Sequence, residues 1–226
     1  MNSLAIIAIP MLAAVVGAVF TAWRPPTPMM RSAVQHFAAG VVFAAAAGEI
    51  LPDVKHSGAV VPLVIGGGIG IVLVLSIRKA EASVSGVAGF LAVITLDLLI
   101  DGLVLGLAFQ AGQKAGILLA VALTIEVLFL GVTLADRLAD GGRGRSVLLT
   151  ALVILALPAG SLLALPLAAM PQPITTALLA MGLIALLYLV TEELLAEAHK
   201  EAEHSWVTAT FFIGFLLLLI LDEQIK

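Results

Sequence analysis

Eight apolar runs, near 2-22, 33-52, 59-77, 86-109, 115-135, 147-169, 174-196 and 206-221, constrain this chain more than anything else in it. Each is long enough to cross about 30 Å of hydrocarbon at about 1.5 Å per helical residue. Backbone polar groups inside a bilayer must pair within their own segment, so runs of this length are helices. The expected fold class is therefore all-α: a polytopic membrane protein with eight transmembrane helices, a single domain over 1-226, and no soluble domain. The composition agrees, being 62% hydrophobic and only 12% charged, with a mean hydropathy of +1.18. Soluble domains spend about a quarter of their residues on charge.

A net charge of -4 and the lack of a long basic stretch argue against nucleic acid as a partner. With no cysteine, the chain can form neither a disulfide nor a thiolate-bound soft-metal site. The first run, Leu4 to Ala22, has no basic segment before it and is expected to be a retained helix rather than a cleaved signal peptide.

Eight of the eleven Lys and Arg fall in the loops after spans one, three, five and seven: Arg24, Arg31, Arg78, Lys79, Arg137, Arg143, Arg145 and Lys200. By the positive-inside rule those loops are cytoplasmic and both termini face outward. Lys55, Lys114 and Lys226 belong to the opposite face. Small size and short loops suggest a bacterial-style inner (plasma) membrane. Gly66, Gly67, Gly68 and Gly70 in span three, and Gly102 with Gly106 in span four, are expected to permit close helix packing. A phosphate-cradling loop would need a preceding strand, which this chain does not provide.

Charges inside the spans carry the functional signal. Asp97 and Asp101 lie mid-span, four residues apart, so both project from one helical face a turn apart. Glu126 lies in the middle of span five, and the short connection around Gln110 to Lys114 makes spans four and five antiparallel neighbours, bringing it to about the same depth. Each ionised carboxylate at the bilayer centre costs roughly 2.5 to 3.5 kcal/mol even on the lenient insertion scale. No Lys or Arg lies within a span to compensate. Three remedies remain: protonation, hydrogen bonds from Thr95 and Thr124, or a cation held among the oxygens. Intramembrane acids mark ion or proton pathways, and a divalent cation offsets two charges at once.

Several segments resemble the Zrt/Irt-like (ZIP) family of metal transporters from span two to the C-terminus. Span two reads His36-Phe37-Ala38-Ala39-Gly40 and closes on Gly48-Glu49-Ile50-Leu51-Pro52-Asp53. Span seven reads Glu192-Glu193-Leu194-Leu195-Ala196-Glu197-Ala198-His199, and span eight runs from Phe212-Ile213-Gly214-Phe215 to Leu221-Asp222. In that family span four carries His-Asn-x-Pro-Glu-Gly; here it is Asp97-Leu98-Leu99-Ile100-Asp101-Gly102, so Asp97 takes the His position and Asp101 the Glu position. Glu126-Val127-Leu128-Phe129-Leu130-Gly131 resembles the span-five motif, with Leu130 where the family has a second acid. The resemblance implies a ZIP-like bundle with a single metal site at Asp97, Asp101 and Glu126 rather than a binuclear centre. Ile100, in place of proline, removes one cause of a kink. Three carboxylates form a hard oxygen site suited to Mn, Fe(II) or Mg, and zinc also accepts carboxylates.

An ion at midplane needs a path. Glu49, Asp53 and Asp222 are the expected outer entrance; His36, Glu192, Glu193 and His199 are the expected inner exit relay. Glu192 and Glu193 point about 100° apart, so one of them is expected to face the path. The segment His199 to His204, with Lys200, Glu201 and Glu203, reads as a solvated connector; it lacks the His-Glu-x-x-His protease arrangement. An intramembrane aspartyl protease would need its aspartates on two facing helices, whereas Asp97 and Asp101 share one.

The expectation is thus a transporter of a divalent metal cation, not an enzyme, with no cofactor beyond the cation as substrate. Its expected partners are the metal ion and the lipid bilayer, with a homodimer as the candidate assembly. The alternatives are a proton-coupled carrier of another solute and a non-transporting, metal-responsive membrane scaffold.

Overall fold

The computed structural model describes residues 3–56, 59–83, 86–200 and 205–225. The loop residues Glu201, Glu203 and His204, and the last residue Lys226, lie outside the described residues. Among those described there is no strand, and eight helices are long and apolar enough to cross a membrane. They are span 1 (Ala5–Trp23), span 2 (Pro28–His56), span 3 (Val60–Ser83), span 4 (Val87–Ala111), span 5 (Gln113–Arg137), span 6 (Arg143–Ala168), span 7 (Gln172–Ala198) and span 8 (Ser205–Gln224). The fold is an all-α, multi-pass membrane bundle. The end bearing the span 1–2, 3–4, 5–6 and 7–8 connections is called here the basic end; the other is the terminal end.

Several helices outrun their apolar cores. Span 2 begins at Pro28, earlier than the hydropathy run, because Pro suits a first helical turn and Thr27 Oγ1 accepts the Met30 N–H at 3.3 Å. Span 3 continues past the apolar run to Ser83 through Arg78, Lys79 and Glu81, residues that favour helix and water alike. Span 6 is interrupted at Ile154–Leu155, where Pro158 in the next turn has no N–H to return to Ile154. Span 4 runs unbroken from Val87 to Ala111, in keeping with Ile100 at the motif's proline position.

The most extensive packing pairs span 1 with span 5, span 4 with span 6, span 2 with span 8 and span 3 with span 7. That pattern is unchanged when spans 1, 2, 3 and 4 are exchanged for spans 6, 7, 8 and 5, which run in the opposite direction. It is the pattern of an inverted repeat about an axis in the membrane plane. Glycines give it atomic detail. A methyl on Gly17 would strike the Leu128 carbonyl, and one on Gly131 the Ala14 carbonyl; likewise Gly160 abuts Leu99 and Gly102 abuts Leu157. Ala14 and Gly17 stand at one constant offset from Leu157 and Gly160, and Leu99 and Gly102 at another from Leu128 and Gly131.

Two blocks result. Spans 1, 4, 5 and 6 pack chiefly on one another, and spans 2, 3, 7 and 8 form the second group, with spans 2 and 5 making the largest contact between them. Span 5 is the most enclosed helix, and spans 8 and 3 the least. Val64, Ile65, Val72, Leu75, Phe212 and Ile220 on these outer helices are more than half exposed, as suits a lipid-facing surface and no aqueous one. Of the six glycines expected to pack closely, Gly66 and Gly70 meet span 7 and Gly102 and Gly106 meet span 6. Gly68 meets nothing within 4 Å and Gly67 only the Ile184 side chain at 3.9 Å, so the packing expectation fails for that pair, which lies on the outward face.

Because the Gly102 contact is backbone against backbone, neither side can rotate away. Gly102→Leu is expected to cost about 1–3 kcal/mol or more by overpacking. Gly68→Leu should leave the midpoint of thermal unfolding in detergent unchanged, and the two can be compared side by side.

Candidate functional site

Spans 4 and 5 meet at Gly112 and lie antiparallel, as their short connection requires. Asp97 lies about 15 Å along span 4 from Val87, and Glu126 about 16 Å along span 5 from Arg137, at 1.5 Å per residue. The two acids are thus level near the midpoint. They are also repeat equivalents, separated by the same offset as Leu99 and Leu128.

Both line a cavity of about 250 Å³ on the basic side of the bundle. Its wall carries six carboxyls, those of Glu81, Asp97, Glu126, Glu192, Glu193 and Glu197, against two bases, Arg137 and Lys200. The bases are engaged near its mouth. The Arg137 guanidinium lies 4.9 Å from the centre of the Phe90 ring, and Lys200 pairs with Glu197. Glu192 pairs with Arg78 at 3.1 Å.

Deeper in, the acids have no such partners. Among the described residues Asp97, Asp101, Glu126 and Glu193 take part in no ion pair. Asp101 and Glu126 are each only 3% exposed, and Asp101 Oδ2 and Glu126 Oε2 have no hydrogen-bond partner among the described residues. The expected help from threonine is absent: Thr95 donates to the Leu91 carbonyl at 2.7 Å and Thr124 to the Ala120 carbonyl at 2.6 Å, each within its own helix. A hydroxyl that can reach back one turn satisfies itself locally.

Asp101 is set apart. It does not line the cavity, although the charges acting on it are those of Asp97, Glu126 and Glu193. Among the described residues no three His, Asp or Glu side chains stand close enough together to hold a metal ion. The three expected ligands therefore share one neighbourhood without forming an assembled ligand set in this conformation.

Of the expected exit relay, Glu193 is half-buried and faces Asp97 and Glu81, while Glu192 is exposed at the mouth, so the adjacent pair divides as its helical spacing requires. Both fall in a π-helical stretch, Leu189–Leu194. His36 is 3% exposed with its Nδ1 2.9 Å from the Ser32 carbonyl, and its ring meets that of His199 edge to face at 5.0 Å. Neither histidine lines the cavity; Gln35 does.

At the terminal end, Glu49 lies in the other π-helical stretch, Ala46–Ile50, beside Asp222 and Lys114. Lys114 Nζ is 2.6 Å from Asp222 Oδ1. Asp53 has His56 as its charged neighbour. The expected entrance acids are thus gathered in part, but with a lysine bridging spans 5 and 8 among them.

Both π stretches mark the repeat: Glu49, Leu51 and His56 recur at constant offset as Glu192, Leu194 and His199. Such insertions cluster at functional positions. Sequence reasoning missed this recurrence, which comparison of the two acidic segments would have exposed. It also missed Glu81, which lines three cavities at this end and was masked by its charged neighbours.

Since the chain has no cysteine, single cysteines report access directly. Asp97→Cys is expected to react with a charged thiol reagent added from the basic end about tenfold or more faster than Asp101→Cys, because thiol reactivity follows exposure. Equal rates would mean that the cavity reaches Asp101 as well. No family model matches the chain, and no curated protein matches it at a significant level.

Proposed function

We propose that this protein carries a divalent metal cation across the membrane in the manner of a ZIP-type transporter. Asp97 and Glu126 receive the ion, and Asp101 completes its coordination as the site closes. The observation that carries this reading is a cavity lined by six carboxyls and two bases, in which Asp97 and Glu126 pair with no base among the described residues. Several like charges in low-dielectric surroundings cannot all ionise without a counter-ion. A hard divalent ion such as Mn, Fe(II), Mg or Zn supplies it in one particle.

The inverted repeat supports the transport half of the reading. Repeats of this kind give a bundle two conformations related by exchange of the halves, each opening the central site to one side. Here the block of spans 1, 4, 5 and 6 holds Asp97, Asp101 and Glu126, and the block of spans 2, 3, 7 and 8 holds Glu49, Glu192 and Glu193. Sliding the first past the second would carry the ion from Glu193 toward Glu49. The Lys114–Asp222 pair joins the blocks and would have to part. Both side chains are about a third or more exposed, and such pairs contribute about 0–1 kcal/mol. It is a light latch. With the basic end cytoplasmic, the conformation described is the inward-open one.

The separation of Asp101 from the cavity favours one second reading, in which it exchanges protons to drive another solute. One set of measurements divides the two. In proteoliposomes, uptake of Mn, Fe(II), Zn, Cd and Mg is expected for at least one ion. Asp97→Asn and Glu126→Gln should each reduce it about tenfold or more, since loss of a group that only orients a metal ligand already costs about 10–100-fold. Metal-free, pH-driven flux of another solute would favour the second reading; no flux of any cation in the wild type would defeat the first.

A further inference from the structure

Span 2 buries a primary amide that the fold does not use. Gln35 is only 3% exposed and makes no hydrogen bond among the described residues, yet it lines the acidic cavity. A carbonyl and an amino group left unmade in a buried position are costly, and an apolar side chain of similar volume would avoid that cost. Packing alone therefore does not account for a glutamine here.

Its place in the bundle supplies a reason. Arg31 Nη1 holds Asp136 Oδ2 at 3.0 Å, which sets the start of span 2 level with the end of the antiparallel span 5. One helical turn on, about 6 Å, Gln35 comes level with Thr133 of span 5, which lines the same cavity. Thr133 shares one helical face with Leu130 and Glu126, and Glu126 lies two turns, or about 10 Å, further from the basic end. Thr95 and Thr124 spend their hydroxyls on carbonyls one turn back, whereas the Thr133 hydroxyl makes no hydrogen bond among the described residues. One uncommitted oxygen from each block thus stands at a single level of the cavity.

We infer, resting on the metal-transport reading, that Gln35 Oε1 and Thr133 Oγ1 form a second cation subsite of uncharged oxygen, passed between the cavity mouth and the carboxylates of Asp97 and Glu126. Each oxygen has a lone pair for an ion. Uncharged oxygens suit a hard cation that keeps part of its water, of the Mn or Mg class, and offer little to an ion that prefers imidazole or thiolate. Holding by dipoles rather than by full charges lets the ion leave as well as enter. Because the two oxygens come from different blocks, sliding the blocks would break the subsite.

Mn(II) binding to the detergent-solubilised full chain, read from loss of the free-ion EPR signal, tests this together with the thermal midpoint of the metal-free protein. The wild type should bind a tighter and a weaker Mn(II). Gln35→Leu and Thr133→Val should each weaken the second about tenfold or more and leave the first, which Asp97→Asn weakens instead. Gln35→His should raise the affinity of the second position for Zn(II) relative to Mn(II) by about tenfold or more, because imidazole suits zinc. The metal-free midpoint of Gln35→Leu should be unchanged or higher, since the change removes an unpartnered buried amide. A weaker Mn(II) that neither Gln35→Leu nor Thr133→Val affects, a wild type that binds one ion only, or a lowered metal-free midpoint in Gln35→Leu would each overturn the inference and leave the transport reading standing. A wild type that binds no divalent ion at all would overturn both.

Discussion

Everything distinctive about this bundle follows from carboxyl groups buried where no protein cation reaches them. In water a carboxylate needs no partner; near the bilayer midplane each costs roughly 2.5 to 3.5 kcal/mol. Aliphatic packing supplies the fold around them without repairing that cost. Leu98 and Val127, each beside one of the acids, are fully buried, so the acids have apolar walls on their flanks and face the opening of the cavity. That opening faces the basic end, where Arg137 and Lys200 are engaged by Phe90 and Glu197.

The inverted repeat explains why the acids occur in matched places and why the match is broken where it matters. Asp97 and Glu126 are equivalents, as are Glu49 and Glu192, so each half supplies one midplane acid and one acid in a π stretch. Asp101 has Leu130 as its counterpart, and Glu193 has Ile50. Of the extra acids, Glu193 lines the cavity and Asp101 lies buried one turn beyond Asp97, so the acid content of the two halves is unequal. On the proposed reading, a symmetric scaffold carrying an asymmetric set of charges would have two conformations of similar packing and unequal electrostatics. On the proposed reading, that difference is what an arriving cation acts upon.

Much of this was legible in the sequence, because bilayer thickness and helix rise leave few choices once eight apolar runs are seen. The run lengths set the spans, and the short turn at Gly112 set the level of Glu126 against Asp97. Boundaries were less legible, since a helix ends where its caps are and not where hydrocarbon does, as Thr27 and Ser83 show. The threonine donors failed for a local reason, a nearer carbonyl one turn back. The pairing of Lys114 with Asp222 was not legible, because it is a contact between distant segments that no periodicity reports. The repeat went unseen because its halves share spacing and few residues; only Glu, Leu and His recur in the second and seventh spans.

The relative strengths of these interactions also say what sets the conformation. Among the described residues two ion pairs join the blocks, Arg31–Asp136 and Lys114–Asp222; both are partly exposed, and pairs of that kind contribute at most about 1 kcal/mol. The glycine-mediated contacts of spans 1 with 5 and 4 with 6 lie inside one block and need not change when the blocks move. What remains is the cost of ionising Asp97, Asp101, Glu126 and Glu193 together out of water, which on the proposed reading is lowest where water or a cation reaches them. On the proposed reading a divalent ion at Asp97 and Glu126 would offset their charge and let Asp101 close in. On the proposed reading the cation is therefore both cargo and trigger, and the ion pairs at either end only trim a balance that the buried carboxyls decide.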